Sequence, residues 1–413
     1  ERNTECPHSA LCTPNAIGRE MTTTACPRWL DEYAVRHALA RRQPSSARYL
    51  VYTCLVDMPF PCLGIGDRFR HVASLLRIAA AFDLCLLIDW TSPHPIEHQL
   101  SPNRIDWRPS ELLSPAATAD MRREPIRRWL HPFTAQSLDA ALSPLGSPQQ
   151  RFVRVMGNLR SNMGNRRLAN VTADYACLWR FLFDASPPLA SRITSQQVAM
   201  FGTASSAYAG VHIRMGDGAR GSAFATGTVP RSDVRTSLRK ALLSIACMQR
   251  LAAPLPLFVA TDNALLKTGL RNASILGHES SAIDFSRVRT QGCDSCMSNP
   301  VRLHRHASFS AESITDVFVE MGLLARAACL YVWSPGAGVR PTQRVSMLDF
   351  GGSAEFSQFG ITAAAWAGNA GRTESEMVGA RACNWTERKA LCRAEYGSLS
   401  KLPLRALDFT EKR

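Results

Sequence analysis

Residues 49–55 (YLVYTCL) form a short, unbroken apolar run of strand length. Pro59, Pro61, Gly64 and Gly66 interrupt the chain directly after it, and Phe69, Val72, Leu75, Leu76, Ala79 and Phe82 then recur at helical spacing. Leu84–Asp89 (LCLLID) is a second buried run. Strand, glycine-bearing loop, helix and strand make a βαβ unit, whose right-handed crossover lays the two strands parallel in one sheet. The alternation resumes with a strand at Ala209–Arg214, a helix at Val234–Leu251, a strand at Pro256–Thr261, a helix at Ile314–Ala327, a strand at Leu330–Trp333 and a Pro-initiated helix at Pro341–Leu348. The fold class is therefore α/β, with a second doubly wound unit beginning near 205. The 413 residues correspond to two to three domains at roughly 150 residues each. The expected division is a Cys-bearing stem or cap at 1–47, a first unit at 48–204, a second at 205–351 and a polar tail with one or two helices at 352–413. Residues 90–200 are rich in Pro and Arg; they read as helical fragments at Ile126–Leu130 and Tyr175–Phe183 and yield no strand order.

Lys+Arg 48 against Asp+Glu 34 leaves a formal charge of +14. Only five of those cations are Lys, so 43 are Arg, an imbalance that favours planar, bidentate recognition of phosphate or carboxylate. A GC-rich coding sequence explains the same imbalance equally well, so charge alone names no partner. Hydrophobic residues at 46% and charged residues at 20% exclude wholesale disorder. No basic stripe is interleaved with aromatics, which argues against nucleic acid as a partner.

Thirteen Cys are present, and their connectivity is not deducible from spacing. Cys6, Cys12, Cys26, Cys293, Cys296, Cys383 and Cys392 lie in polar segments where a secreted protein places staples, whereas Cys85, Cys247 and Cys329 lie in apolar runs and read as reduced core residues. Sequons at Asn170, Asn272 and Asn384 would accept glycans in an oxidising lumen. No apolar run reaches the ~20 residues of a membrane span. The chain reads as the luminal part of a type II protein of the Golgi or ER, touching the membrane only through an anchor upstream of residue 1.

Four motifs can carry chemistry. Leu63-Gly64-Ile65-Gly66-Asp67-Arg68 joins strand to helix, so backbone amides at the helix start favour an anion beside Arg68 and Arg70; a tight turn with Asp67 as N-cap is the plain alternative. His212 and Arg214, in Val211-His212-Ile213-Arg214-Met215-Gly216-Asp217-Gly218, share one side of a strand end, where open α/β sheets bind ligands. A buried Arg214–Asp217 pair competes with that reading. Thr261-Asp262 ends a third strand, or caps a helix over 263–270. Ser334-Pro335-Gly336-Ala337-Gly338-Val339-Arg340 is a loop whose amides suit phosphate oxygens. Three strand ends converging on one sheet edge point to a nucleotide diphosphate. No P-loop and no Asp-x-Asp metal pair occurs, and Cys293-x-x-Cys296 with His304 and His306 reads as a loop or local disulfide more readily than a zinc site.

Together, GxGxR before a helix, a strand ending in HxRxGD, a strand ending in ATD and a Gly/Ser loop after a late helix and strand resemble the GDP-fucose-dependent fucosyltransferase superfamily, over residues 49–350. The resemblance implies a GT-B arrangement of two Rossmann-like domains facing a cleft, acceptor on the first and donor on the second. It implies an inverting transfer of fucose from GDP-fucose to a glycan or glycoprotein acceptor with no obligatory metal or other cofactor. It places His212 at the guanine or ribose, Arg214 on the diphosphate, Thr261 and Asp262 beside the nucleotide, and Glu320 where the family's Asp accepts guanine N–H donors. Gly64, Gly66, Arg68, Ser334, Gly336, Gly338 and Arg340 complete the donor set. The family's Asn is Asp67 here, a more capable base than an amide, with Asp217 the second choice. Two other readings share the fold: a transferase of another nucleotide sugar, such as arabinose, galactose or xylose, and a catalytically silent binder of nucleotide or glycan.

Overall fold

The computed structural model describes residues 26–56, 58, 62, 64–130, 150–158, 171–213, 252–272, 283–291, 310–333 and 358–367, with seven helical positions between 238 and 249. Four strands, β1 (Tyr49–Cys54), β2 (Cys85–Trp90), β4 (Ile126–Leu130) and β5 (Phe152–Asn158), form a parallel sheet in the order β2-β1-β5-β4. Helix α2 (Ile65–Ala81) is the crossover from β1 to β2, whose register runs from Tyr49↔Cys85 to Cys54↔Trp90. Every residue of β1 and β2 is buried, as expected of parallel strands covered on both faces. The segment Ile126–Leu130 is a correction: it is the edge strand β4, and its parallel pairing to β5 overrides the helical reading of its two central arginines.

A second parallel sheet has the order β10-β7-β8-β9, with β7 (Ala209–Ile213), β8 (Leu257–Thr261), β9 (Val288–Arg289) and β10 (Cys329–Trp333). A short antiparallel pair, β3 (Leu100–Pro102) with β6 (Phe183–Ala185), lies outside both sheets. The protein is thus mixed α/β with parallel sheets. Local signals set the remaining helices. Ser186 accepts the Leu189 N–H and two prolines open α6 (Pro187–Phe201), which Gly202 ends at φ 87°. Ser310 caps α8 (Ala311–Arg326) by accepting the Ser313 N–H. Leu238, Ala241, Leu242, Ile245 and Ala246 are helical and buried, the spacing of one apolar face.

Helix α1 (Trp29–Arg42) lies against β2: the Tyr33 hydroxyl donates to Leu84 O at 3.0 Å and accepts the Leu86 N–H at 2.8 Å, and His37 Nε2 meets Leu86 O at 3.2 Å. A disulfide from Cys26 to Cys177 ties its approach to α5 (Val171–Leu182). Cys85 is a free, buried thiol, pushed up to about 12 by burial.

One hydrophobic core contains residues of both sheets, including Leu50 and Tyr52 of β1, Phe258 and Ala260 of β8 and Phe318 of α8. Phe69 of α2 is its hub, with ring centroids 4.4 Å from Trp179, 5.3 Å from Trp90 and 6.0 Å from Phe318. Within the expected tail one helix is described, and it is buried. Gln358–Trp366 is helix α9, whose Phe359, Ala363 and Ala365 are buried against α2, α5 and α8.

Candidate functional site

The second sheet sets three motif-bearing strands side by side. His212 of β7 pairs in register with Ala260 of β8 and Val332 of β10, and Ile213 pairs with Thr261 and Trp333. The HxRxGD strand, the ATD strand and the strand before the Gly/Ser loop therefore end at one level of one edge, the C-terminal edge at which open α/β sheets bind ligands. His212, Thr261 and Asp262 are buried there, and the His212 ring lies 5.1 Å from the Phe359 ring of α9. Arg214, Asp217, Ser334, Gly336, Gly338 and Arg340 lie outside the described residues.

Helix α7 (Ala264–Arg271) is capped by Asn263, whose side chain accepts the Leu266 N–H at 2.8 Å; the cap is neither Thr261 nor Asp262. The Thr261 hydroxyl oxygen accepts the Asn263 N–H at 3.2 Å and fixes the strand-to-helix turn. One turn into α7, Lys267 Nζ donates to Glu320 Oε1 of α8 at 2.5 Å, with side chains 2% and 0% exposed. Burial pushes the Glu320 carboxyl up, Lys267 pulls it down, and Asp316 and Asp262 add smaller upward contributions. Asp316 is held in turn by Arg192 at 2.7 Å. Sequence reasoning picked out Glu320 and Asp262 but missed Lys267, one of only five lysines in the chain. Glu320 Oε2 has no hydrogen-bond partner.

In the first sheet, Gly64 is the extended N-cap residue of α2, with φ −55° and ψ 149°, and Gly66 is buried in the first turn. Asp67 is therefore a first-turn residue, not the cap. Its Oδ1 accepts from Arg70 Nη2 at 2.9 Å, the two side chains being 26% and 11% exposed. A disulfide from Cys54 to Cys62 spans the loop between β1 and Gly64.

Arg68 departs from its expected place beside the diphosphate. It is fully buried, donates from Nη1 to Ser92 O at 2.5 Å, and lies with its guanidinium carbon 4.9 Å from the Trp90 ring centre. Burial lowers its pKa to about 10 against the opposing pull of Tyr52 and Asp67. Arg68 thus ties α2 to the turn after β2. Arg70, three residues past Asp67, is the guanidinium that meets the Asp67 carboxylate.

Helix α9 connects the two loci. The Tyr175 hydroxyl and Thr362 Oγ1 are 3.0 Å apart, and both Arg70 and Asp67 act electrostatically on Tyr175. Thr362 and Phe359 are three residues apart and share a helix face, so α9 meets His212 at one position and Tyr175 one turn later. The signal for it in the sequence is the apolar stretch 359–366 within a polar tail.

Among the described residues, no group of three or more His, Cys, Asp or Glu is placed to hold a metal ion, and no helix is long and apolar enough to cross a membrane. No family model and no curated protein matches the chain. Solved structures do. A mutant of Arabidopsis thaliana FUT1 in complex with GDP is 13% identical, with 89% of this chain and 83% of that chain covered and a TM-score of 0.48. The α-1,6-fucosyltransferase NodZ soaked with GDP-fucose is 15% identical, with 69% of this chain and 87% of that chain covered and a TM-score of 0.38. Selenomethionine NodZ from Bradyrhizobium matches at the same values.

Proposed function

We propose that this chain is an inverting, metal-independent glycosyltransferase of GT-B type that transfers fucose from GDP-fucose to a glycan or glycoprotein acceptor. The observation that carries the reading is the alignment of β10, β7 and β8, whose three motif-bearing ends stand at one level of one sheet edge. A donor nucleotide bound at that edge meets Arg214 at its diphosphate, His212 at its base or ribose and Thr261-Asp262 alongside. Glu320 offers Oε2 to the guanine N–H donors while Lys267 holds Oε1. Gly336, Gly338, Ser334 and Arg340 are assigned to the phosphates by their motif alone.

The residues divide the work of an inverting displacement. Asp67, oriented by Arg70, takes the proton of the acceptor hydroxyl as its oxygen attacks the anomeric carbon from the face opposite GDP. The bond to the β-phosphate oxygen breaks, and Arg214 stabilises the charge that collects there, a task for which a fixed guanidinium suffices without a metal ion. Arg68 acts indirectly, by holding the α2 start against Ser92. Asp217 is the second choice for the base.

The disulfides Cys26–Cys177 and Cys54–Cys62 support folding in an oxidising compartment, in keeping with the lumen of the Golgi or ER and a type II anchor. A donor screen across GDP- and UDP-sugars, with Arg214→Ala as control, tests the proposal. GDP-fucose should be consumed by the parent and not by the variant. Full activity of Arg214→Ala, or no GDP-sugar consumed by the parent, overturns it.

A further inference from the structure

A cavity of about 740 Å³ opens where β2 ends, within the roughly 300–1,000 Å³ range of small-molecule sites. The end of β2 and the chain leaving it form one wall, through Asp89, Thr91 and Glu97; α3 (Pro109–Leu112) and α4 (Pro115–Arg123) form the other. None of these residues belongs to the donor set.

The chemistry of the lining selects the ligand. Arg122 is half-exposed and is anchored through Nη2 to the buried Asp89 carboxylate at 3.1 Å, which leaves most of the five guanidinium N–H donors for a guest. Glu97 faces the cavity from the other wall with a carboxyl pushed up chiefly by desolvation and pulled down by Arg108. Ser110, Thr91 and Thr118 add hydroxyls that donate or accept, and prolines at 95, 109 and 115 supply flat apolar surface. The charges balance: Arg122 and Arg154 stand at Asp89, Arg123 is bonded to Asp120 at 2.6 Å, and Arg108 acts on Glu97. An anion or a cation entering the cavity therefore finds each of these charges already matched. A neutral polyol, with hydroxyls that donate and accept around C–H faces, matches every group.

Position matches the same ligand. The Cys54 carbonyl accepts the Thr91 N–H at 2.8 Å and the Ser92 N–H at 3.1 Å, and Ser92 O accepts from Arg68. The cavity wall is thereby bonded to the strand that leads into the Asp67 loop. We propose that this cavity is a subsite for a neutral saccharide unit of the acceptor, a statement that deepens the transferase reading and rests on it for the word acceptor.

Binding is measured by calorimetry on the full chain, using maltotetraose, cellotetraose, galactotetraose and chitotetraose as neutral probes and trigalacturonate as the anionic one. Ala119 is an exposed lining residue of α4, so Ala119→Trp fills the cavity without entering the core. At least one neutral tetrasaccharide should bind at millimolar concentration and weaken about tenfold or more in Ala119→Trp, with GDP affinity unchanged. Binding of trigalacturonate alone, no binding by any neutral probe, or equal affinity in parent and variant overturns the subsite. Loss of the transferase reading registers separately, as absence of GDP binding and GDP-fucose turnover in the parent. In that event saccharide binding still decides whether the cavity is a carbohydrate site.

Discussion

Replacing Lys267 by methionine removes a cation from the centre of a buried acidic group. Its Nζ stands 2.5 Å from Glu320 Oε1 with both side chains out of solvent. Two further carboxylates, Asp316 and Asp262, already act on Glu320, and Asp316 is held by Arg192 at 2.7 Å. At an effective dielectric of about 20 the pair attraction is about 7 kcal/mol, most of which offsets the desolvation of the two ions. Stripping one partner costs more than the pair is worth, because the other stays buried and charged; about 3–5 kcal/mol is expected at pH 7. The pH dependence has a definite sign. Burial raises the Glu320 carboxyl, and without Lys267 it rises further, so the penalty grows as pH climbs above the ordinary glutamate value of about 4.3 and shrinks on acidification. Urea unfolding followed by far-UV circular dichroism, at pH 7 and pH 5, on the parent, Lys267→Met, Glu320→Gln and the double variant closes the cycle. The double variant should recover most of the loss. A Lys267→Met cost below about 0.5 kcal/mol, additivity within about 0.5 kcal/mol, or a penalty that deepens on acidification would refute the argument.

Three further outcomes are expected. His71 is fully buried and lowered from 6.5 to about 3, first by burial and then by Arg70. The unfolded chain therefore takes up a proton that the fold refuses, and stability falls from pH 6.5 toward pH 3 by at most about 1.4 kcal/mol per unit. His71→Phe should flatten that slope, and an unaltered slope contradicts the assignment. In Gly322→Ala the new Cβ would stand 2.9 Å from Ile193 Cγ1 and closer still to Cδ1. Overpacking of about 1–3 kcal/mol should outweigh the gain of about 1 kcal/mol in helix propensity. Adding Ile193→Val, which deletes Cδ1, should restore stability by thermal denaturation, and a Gly322→Ala variant as stable as the parent defeats the reasoning. Asp67→Asn should slow transfer at least about 100-fold if the carboxylate is the base; unchanged turnover in a GDP-release assay excludes that role.

Strands and helices were legible wherever burial is complete. β1, β2, β7 and β8 are covered on both faces, so they read as continuous apolar runs and their boundaries moved by a residue or two. The helix expected at Ile314–Ala327 starts three residues earlier and ends one sooner, at Ala311–Arg326. Ile126–Leu130 was misread because its central Arg127 and Arg128 do not mark a buried run, whereas β2, at the other end of the same strand order, is mostly apolar and buried throughout. Arg68 was misplaced for a related reason. A helical arginine beside glycines looks like an anion ligand in sequence, and only the Ser92 carbonyl and Trp90 ring beneath it reveal an inward side chain.

The sequence by itself determined the α/β class, the strand-loop-helix order and the presence of motifs at strand ends, because those depend on periodicity and turn residues within a few positions. Tertiary structure alone decided which distant residues meet. Lys267 reaches Glu320 across 53 positions, Tyr175 reaches Thr362 across 187, and α9 seats Phe359 against His212. The physical reason is that ion pairing, ring packing and cavity lining depend on distance in space, and local pattern fixes which face a residue presents but not what stands opposite it.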